Sequence, residues 1–298
     1  MIEVNNLVKT FDGFIALDGT SLKVENGSVY GLVGPNGAGK STVINHLTGV
    51  YKQDGGTVLF DDEPVWENAN VKRKIAYIPD DWFYFNGSNV EDMMRFYKGI
   101  YPSFSEERFY KMRDAFNIDL KKGIKYLSKG MKKQVAFWLA LSSMPEYLIL
   151  DEPVDGLDPV MRRRIWSFVM EDVAARGTSV LVSSHNLREL EDVCDHVGIM
   201  NKGKVILERS LSELQDNMVK LQVVFKEGMN EVPGDIPVLH DSVMGRVHTM
   251  IVRMCPESAV KCVSKYEPLL VEAVPLTLEE IFVYELGGLD YEIKETII

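Results

Sequence analysis

Nine residues, GPNGAGKST from Gly34 to Thr42, join a glycine-rich turn to a lysine and two hydroxyls. The spacing matches GxxxxGK[ST], a loop whose glycines let backbone N–H groups turn inward around phosphates. Gly34, Pro35, Asn36, Gly37, Ala38 and Gly39 would form the cradle, with Thr42 closing the motif. Lys40 would reach the terminal phosphates, and the Ser41 hydroxyl would hold Mg2+. Further along, YLILDEP from Tyr147 to Pro153 is an apolar run ending in two carboxylates. A buried strand delivers such residues to the carboxyl edge of a parallel sheet, where ligands bind. There Asp151 would orient Mg2+ through water and Glu152 would polarise an attacking water, the positioning that phosphoryl transfer needs. Read singly, the first stretch also fits a chance glycine-rich turn and the second a solvent-exposed strand end.

Such chemistry requires a strand before the loop and a helix after it. VYGLV precedes the loop and STVINHLTGVY follows it. Over residues 1–215 apolar strands (VYGLVG, KIAYIP, YLILD, SVLVSSH) alternate with amphipathic helices, which implies an α/β phosphate-loop NTPase core around a largely parallel sheet. Residues 82 to 145 interrupt this alternation with helical sequence, including VEDMMRFYKGIY, SEERFYKMRDAF and KKQVAFWLALSSM, so a helical subdomain inserted between strands is expected. In residues 216–298, KLQVVF and VHTMIVRM read as strands, SAVKCVSKY and TLEEIFVYEL as helices, and GMNEVPGDIP as a turn-rich connection. That reading gives a small C-terminal α+β domain with 14 acidic and 7 basic residues.

A chain of 298 residues accommodates two domains without disulfides. The net charge of −11 argues against a duplex-binding surface, so no nucleic-acid partner is expected. Cys194, Cys255 and Cys262 form no CxxC pair, which suits a reducing compartment. MIEVNNLVKTFDG lacks the regions of a signal peptide, and no run of 18 apolar residues occurs. The expected location is the cytoplasm, with membrane association through a partner.

The order of motifs, phosphate loop, LSKGM, LILDEP, GLDP and SSH, resembles the nucleotide-binding subunits of ABC transporters. The resemblance covers the first 215 residues and implies ATP and Mg2+ as ligands. LSKGM is similar to the family signature LSGGQ: Ser128 and Gly130 match, while Lys129 and Met131 depart. In that family the signature contacts the γ-phosphate of ATP held by the opposite subunit. A second ATP-binding subunit is therefore implied, as a homodimer or a paralogue heterodimer, together with a transmembrane permease that holds the protein at the inner face of the membrane. A helix from Ser128 to about Ser143 would be about 24 Å long and carry the signature away from Asp151 of its own chain.

By the same resemblance His185 matches the switch histidine at the γ-phosphate, Asp158 the loop aspartate between sites, and Phe11 the aromatic that stacks on adenine. Phe14 competes with Phe11 for that place, and Asp158 also suits a plain turn. Asp80 stands where the family commonly has a glutamine that touches Mg2+; it would coordinate the metal or simply sit in a surface turn. The Lys129 charge either attracts the partner's nucleotide or is merely solvated. WFYFNG, Trp82 to Gly87, either docks the permease or caps the helical subdomain. The C-terminal segment resembles extensions found in ABC-2 type exporters. The expected function is therefore ATP hydrolysis driving a separate permease, with a soluble ABC-type ATPase acting on ribosomes or DNA as the alternative.

Overall fold

The computed structural model describes residues 1–80, 84–226, 233–234 and 236–285. Its chain divides into an N-terminal unit, Met1–His185 with Val193–Glu208, and a C-terminal unit, Asn186–Asp192 with Arg209–Ile298.

The N-terminal unit opens with β1 (Ile2–Phe11) and β2 (Phe14–Val24), an antiparallel hairpin. The next strand, β3 (Val29–Val33), feeds the glycine-rich loop and α1 (Lys40–Leu47). β4 (Gly55–Phe60) returns antiparallel to β1 and carries β5 (Glu63–Pro64) at its edge. After the single turn of α2 (Ala69–Lys72) comes β6 (Ile75–Ile78). A helical stretch follows: α3 (Val90–Ile100), α4 (Glu106–Lys111), α5 (Arg113–Phe116) and α6 (Lys129–Ser142). The chain then re-enters the sheet through β7 (Tyr147–Asp151), α7 (Pro159–Arg176) and β8 (Ser179–Ser184), passes through α8 (Arg188–Glu191), which belongs to the C-terminal unit, and returns as β9 (His196–Asn201) and β10 (Lys204–Ser210).

The central sheet has the order β10-β9-β3-β8-β7-β6. The pairs from β9 through to β6 are parallel. Because both faces are covered, VYGLV, YLILD and SVLVSS are buried at every position and read as continuous apolar runs rather than alternations. The antiparallel sheet β2-β1-β4-β5 is a second layer that the sequence reading, centred on the parallel strands, does not include. Residues of β1, β2 and β4 share one core with Tyr30 and Leu32 of β3 and Val43, Ile44 and Leu47 of α1, which fixes the loop between β3 and α1 from both sides.

Local chemistry sets the helix starts. Asn89 and Asp92 form a reciprocal capping box on α3, and Ser105 accepts from Arg108 N at the start of α4. Inside the helical stretch Trp138 stacks between Phe109 and Phe116, with ring centroids 4.4 and 5.5 Å away, and its indole N–H donates to the Phe109 carbonyl at 2.7 Å. Burying that indole with its polar atom satisfied gives the stretch its own small core.

The C-terminal unit holds α9 (Leu211–Asn217), β11 (Val219–Val224), β12 (Val238–Met244), β13 (Val247–Val252), α10 (Pro256–Ser264), β14 (Leu270–Val274) and α11 (Leu278–Glu285). Its antiparallel sheet runs β12-β13-β11-β14. Val219, Leu221 and Val223 alternate inward on β11 and pack with Met250, Val252, Ala259 and Val263. Most of GMNEVPGDIP lies outside the described residues.

Candidate active site

The turn from β3 into α1 is built on Gly39, whose φ of 110° no side-chain-bearing residue adopts readily. A Cβ there would lie 2.7 Å from Met200 Cε and 3.1 Å from the Ala16 carbonyl oxygen. Gly39 is also the N-cap of α1 and offers no side chain, so the first N–H groups of the helix keep their capacity for an anion. Lys40 is buried, and its ammonium donates to the carbonyls of Gly34 at 2.6 Å and Pro35 at 3.3 Å. Burial pulls its pKa below the ordinary lysine value, against the opposing influence of Glu152 and Asp151.

The two carboxylates come from the end of β7. In the parallel register Asp151 lies beside Ser183 of β8. The Ser183 hydroxyl donates to Asp151 Oδ1 at 2.5 Å and accepts from Glu152 N at 3.2 Å. Glu152 then leaves the strand with φ 45°, an uncommon conformation for a residue with a side chain. That twist sets Oε1 3.9 Å from Lys40 Nζ and Oε2 3.0 Å from His185 Nδ1. Burial raises the Glu152 pKa, while His185 and Lys40 hold it down.

Lys40, Asp151 and Glu152 border a cleft of about 440 Å³ whose lining also includes Phe11, Phe14, Ala16, the loop residues Asn36, Gly37, Gly39, Ser41 and Thr42, and Asp80, with His185 outside it. The glycine-rich loop, a cation, hydroxyls and carboxylates thus converge on a space flanked by aromatic rings. Ser41, Asp151 and Asp80 are all oxygen donors, the ligand chemistry of a hard dication.

The ABC transporter family matches residues 17–155. A shorter match, to a family described as AAA domain, putative AbiEii toxin, Type IV TA system, covers residues 124–191. The ABC transporter ATP-binding protein YtrB of Bacillus subtilis (strain 168) is 30% identical over 290 residues, which span 97% of this chain and 99% of that protein. This chain is an ATP-binding subunit of the ABC transporter family. The lantibiotic transport ATP-binding protein SrtF of Streptococcus pyogenes is 31% identical over 76% of this chain and 99% of its own. Among solved structures, an ATP binding subunit of an ABC transporter superposes with a TM-score of 0.68 at 27% identity, over 72% of this chain and 92% of that one. The subunit is therefore an ATPase, and its relatives imply a transporter partner and dimerisation.

Three residues singled out in the sequence of this ABC subunit stand away from the cleft of their own chain. Ser128 is the N-cap of α6 and accepts from Met131 N at 3.2 Å. Gly130 closes on the GLDP turn: a Cβ at this position would be 2.6 Å from the Gly156 carbonyl oxygen. Asp158 is the N-cap of α7, accepting from Val160 N and Met161 N at 3.1 and 3.0 Å. The signature tip and the GLDP turn therefore touch each other within one chain, whereas neither borders the cleft.

Phe11 and Phe14 face each other across the β1–β2 hairpin and both line the cleft of this ABC subunit, Phe11 37% and Phe14 68% exposed. Phe11 also meets Tyr51 edge-on at 5.4 Å. Asp80 lines the cleft too, with Oδ1 3.6 Å from Lys133 Nζ, an ion pair too long for a hydrogen bond. Trp82 and Phe83 lie outside the described residues, while the Tyr84 hydroxyl donates to the Lys132 carbonyl at 2.5 Å and Phe85 is about half exposed, edge-on to Phe96 at 4.8 Å. Ser183 and Lys133 were not singled out from the sequence. The signal for Ser183 is its place near the end of a buried run ending in His185. For Lys133, nothing in the sequence distinguishes the buried lysine from its partly buried neighbour Lys132.

Proposed function

We propose that this ABC subunit hydrolyses Mg2+-ATP at sites completed by a second ATP-binding subunit and so drives an export permease. The observation that carries the reading is Glu152, whose carboxylate is held beside both Lys40 and His185 at the mouth of the phosphate loop. Backbone N–H groups of the glycine-rich loop and the start of α1 bind the β- and γ-phosphates. Lys40 exchanges its carbonyl partners for the terminal phosphates, a charge-assisted contact. Ser41 and Asp151, with Asp80 beside them, would hold Mg2+, which would supply charge neutralisation for the phosphate oxygens. Glu152 accepts a hydrogen bond from the attacking water and orients it in line with the γ-phosphate, while His185 keeps the carboxylate aimed. Phe11 or Phe14 stacks on adenine.

The arrangement of Ser128 and Gly130 away from the cleft of their own chain supports their use on the nucleotide of the opposing subunit. Asp158 then joins the two sites. Among the described residues no helix is long and apolar enough to cross a membrane. The transporter names of this chain's relatives support a separate permease, with the subunit against its cytoplasmic side. The name of the lantibiotic transport relative supports a transport role. Residues 216–298 serve as an accessory domain, a reading supported by the separate compact unit that takes in Arg209–Ile298.

The Glu152→Gln variant tests this. It is expected to bind ATP while turnover falls by roughly hundredfold or more, and to sediment as a dimer with Mg2+-ATP but not with ADP. Turnover equal to that of the parent removes Glu152 from its role. Recovery with ribosomes rather than with a permease from detergent-solubilised membranes would favour the ribosome-acting class.

A further inference from the structure

Lys133 sits in the second turn of α6, five residues after Ser128, and is 2% exposed. Burying an ammonium costs several kcal/mol unless its hydrogen bonds and charge are answered. Here they are answered by two groups of the cleft wall. Nζ donates to the backbone carbonyl of Glu152 at 2.6 Å and lies 3.6 Å from Asp80 Oδ1. Burial pulls the Lys133 pKa down, and Asp80 and Asp155 oppose it.

The carbonyl that Lys133 holds belongs to the residue with the uncommon backbone. Glu152 has φ 45°, and its N–H is tied to the Ser183 hydroxyl on the other side. A left-handed conformation in a residue with a side chain persists only where the surroundings over-determine it. Lys133 and Ser183 together grip both polar groups of Glu152, and the direction of the carboxylate follows from that backbone. Ser183 anchors Glu152 to the sheet, whereas Lys133 anchors it to α6, the helix that carries Ser128 and Gly130.

We propose that Lys133 is a positioning residue for ATP hydrolysis: it clamps the Glu152 carbonyl to α6, so that the aim of the Glu152 carboxylate depends on where the signature helix stands. This rests on the assignment of Glu152 as the group that orients water. The clamp makes turnover sensitive to α6 through the backbone of the same chain, in addition to any contact the helix tip makes with a second subunit. Asp80 has a part in it. Its carboxylate partners the clamp, so the acid at this position carries a counter-charge from within the chain.

The test measures steady-state ATPase turnover and ATP affinity of the full chain as the parent, Glu152→Gln, Lys133→Met and Lys133→Arg. Methionine keeps the packing and removes both donor and charge. Lys133→Met is expected to lower kcat roughly ten- to hundredfold, as for a catalytic group misplaced by about an ångström, with KM and ATP affinity within about twofold. Lys133→Arg is expected to recover most of the loss, because a guanidinium can reach the same carbonyl. A folded Lys133→Met that turns over like the parent overturns the proposal, as does one that loses ATP affinity and kcat together. Recovery of kcat when Asp80→Asn is added to Lys133→Met also overturns it, since Lys133 would then act by neutralising Asp80. Lys133→Gln serves if the Met variant does not fold; failure of both to fold, with Lys133→Arg folded and active, reduces Lys133 to a structural tie. Parent activity that survives Glu152→Gln unchanged would instead sink the Glu152 assignment itself.

Discussion

In the N-terminal unit β3, β7 and β8 are buried at every position, whereas β12 in the C-terminal unit exposes six of its seven residues. The difference shows where a sheet can support chemistry. A strand covered on both faces is fixed along its length, so the residues at its carboxyl end arrive at set positions: Gly34 after β3, Asp151 at the end of β7, His185 after β8. An edge strand such as β12, with Val243 57% and Met244 83% exposed, is held on one side only. One ion pair from each unit shows a similar contrast, although the N-terminal unit also carries exposed pairs such as Lys98–Glu106. Arg108 of α4 meets the buried Asp172 of α7 at 2.6 Å, while Lys220 and Glu280 pair at 2.8 Å with Glu280 one-third exposed.

The largest effect expected on this contrast is from Asp172→Ala. The carboxylate is 2% exposed and also lies 3.4 Å from Arg176. Removing it leaves two guanidinium groups without their counter-ion and should cost about 3 kcal/mol, the usual consequence of breaking a buried pair on one side. Arg108 ties the helical stretch to α7, so the loss should show first as faster amide exchange in α4 and α6. A loss below about 1 kcal/mol would place this pair with exposed ones.

Gly39→Ala comes next. The substitution forces a Cβ to within 2.7 Å of Met200 Cε and 3.1 Å of a backbone oxygen at φ 110°. Strain of this kind costs about 1–3 kcal/mol, and the loop can relieve it only by opening the cradle. Reduced thermal stability and weaker ATP binding should therefore appear together. Weaker binding with unchanged stability would show that the loop moves freely, against the picture of a turn fixed by the cores on either side.

The legibility of the two units differs for the same physical reason. VYGLV, YLILDEP and SVLVSSH carry their signal because burial on both faces keeps most of each strand apolar, and the polar residues gather towards its carboxyl end. The β11 and β13 strands were legible from their alternation. β12, with His240, Asp241 and Ser242 in its middle, was not, because an exposed edge imposes little pattern. Within the site, the position of Glu152 could be read from the strand before it. Its φ and the grip of Lys133 could not, because both depend on a helix that begins more than twenty residues earlier and on a contact that no spacing rule encodes. Asp80 was visible as an acid in place of a glutamine; its counter-charge became visible only with the fold.

The smallest effect concerns Lys220→Met. Burial would raise the Glu280 pKa, but the hydrogen bonds from Lys220 and Thr277 overcome it and hold the carboxyl below its ordinary value. A depressed folded pKa gives stability that is present above the unfolded value, about 4.3 for Glu, and that is lost as pH falls through the folded value. Because Glu280 is partly exposed, the pair should contribute no more than about 1 kcal/mol. Amide exchange in β11 should therefore differ slightly between parent and variant at neutral pH and converge only as pH falls through the depressed Glu280 value. A difference that persists in acid would mean that Lys220 contributes through its aliphatic stem rather than its charge. A difference as large as that expected of Asp172→Ala would erase the distinction between these two ion pairs.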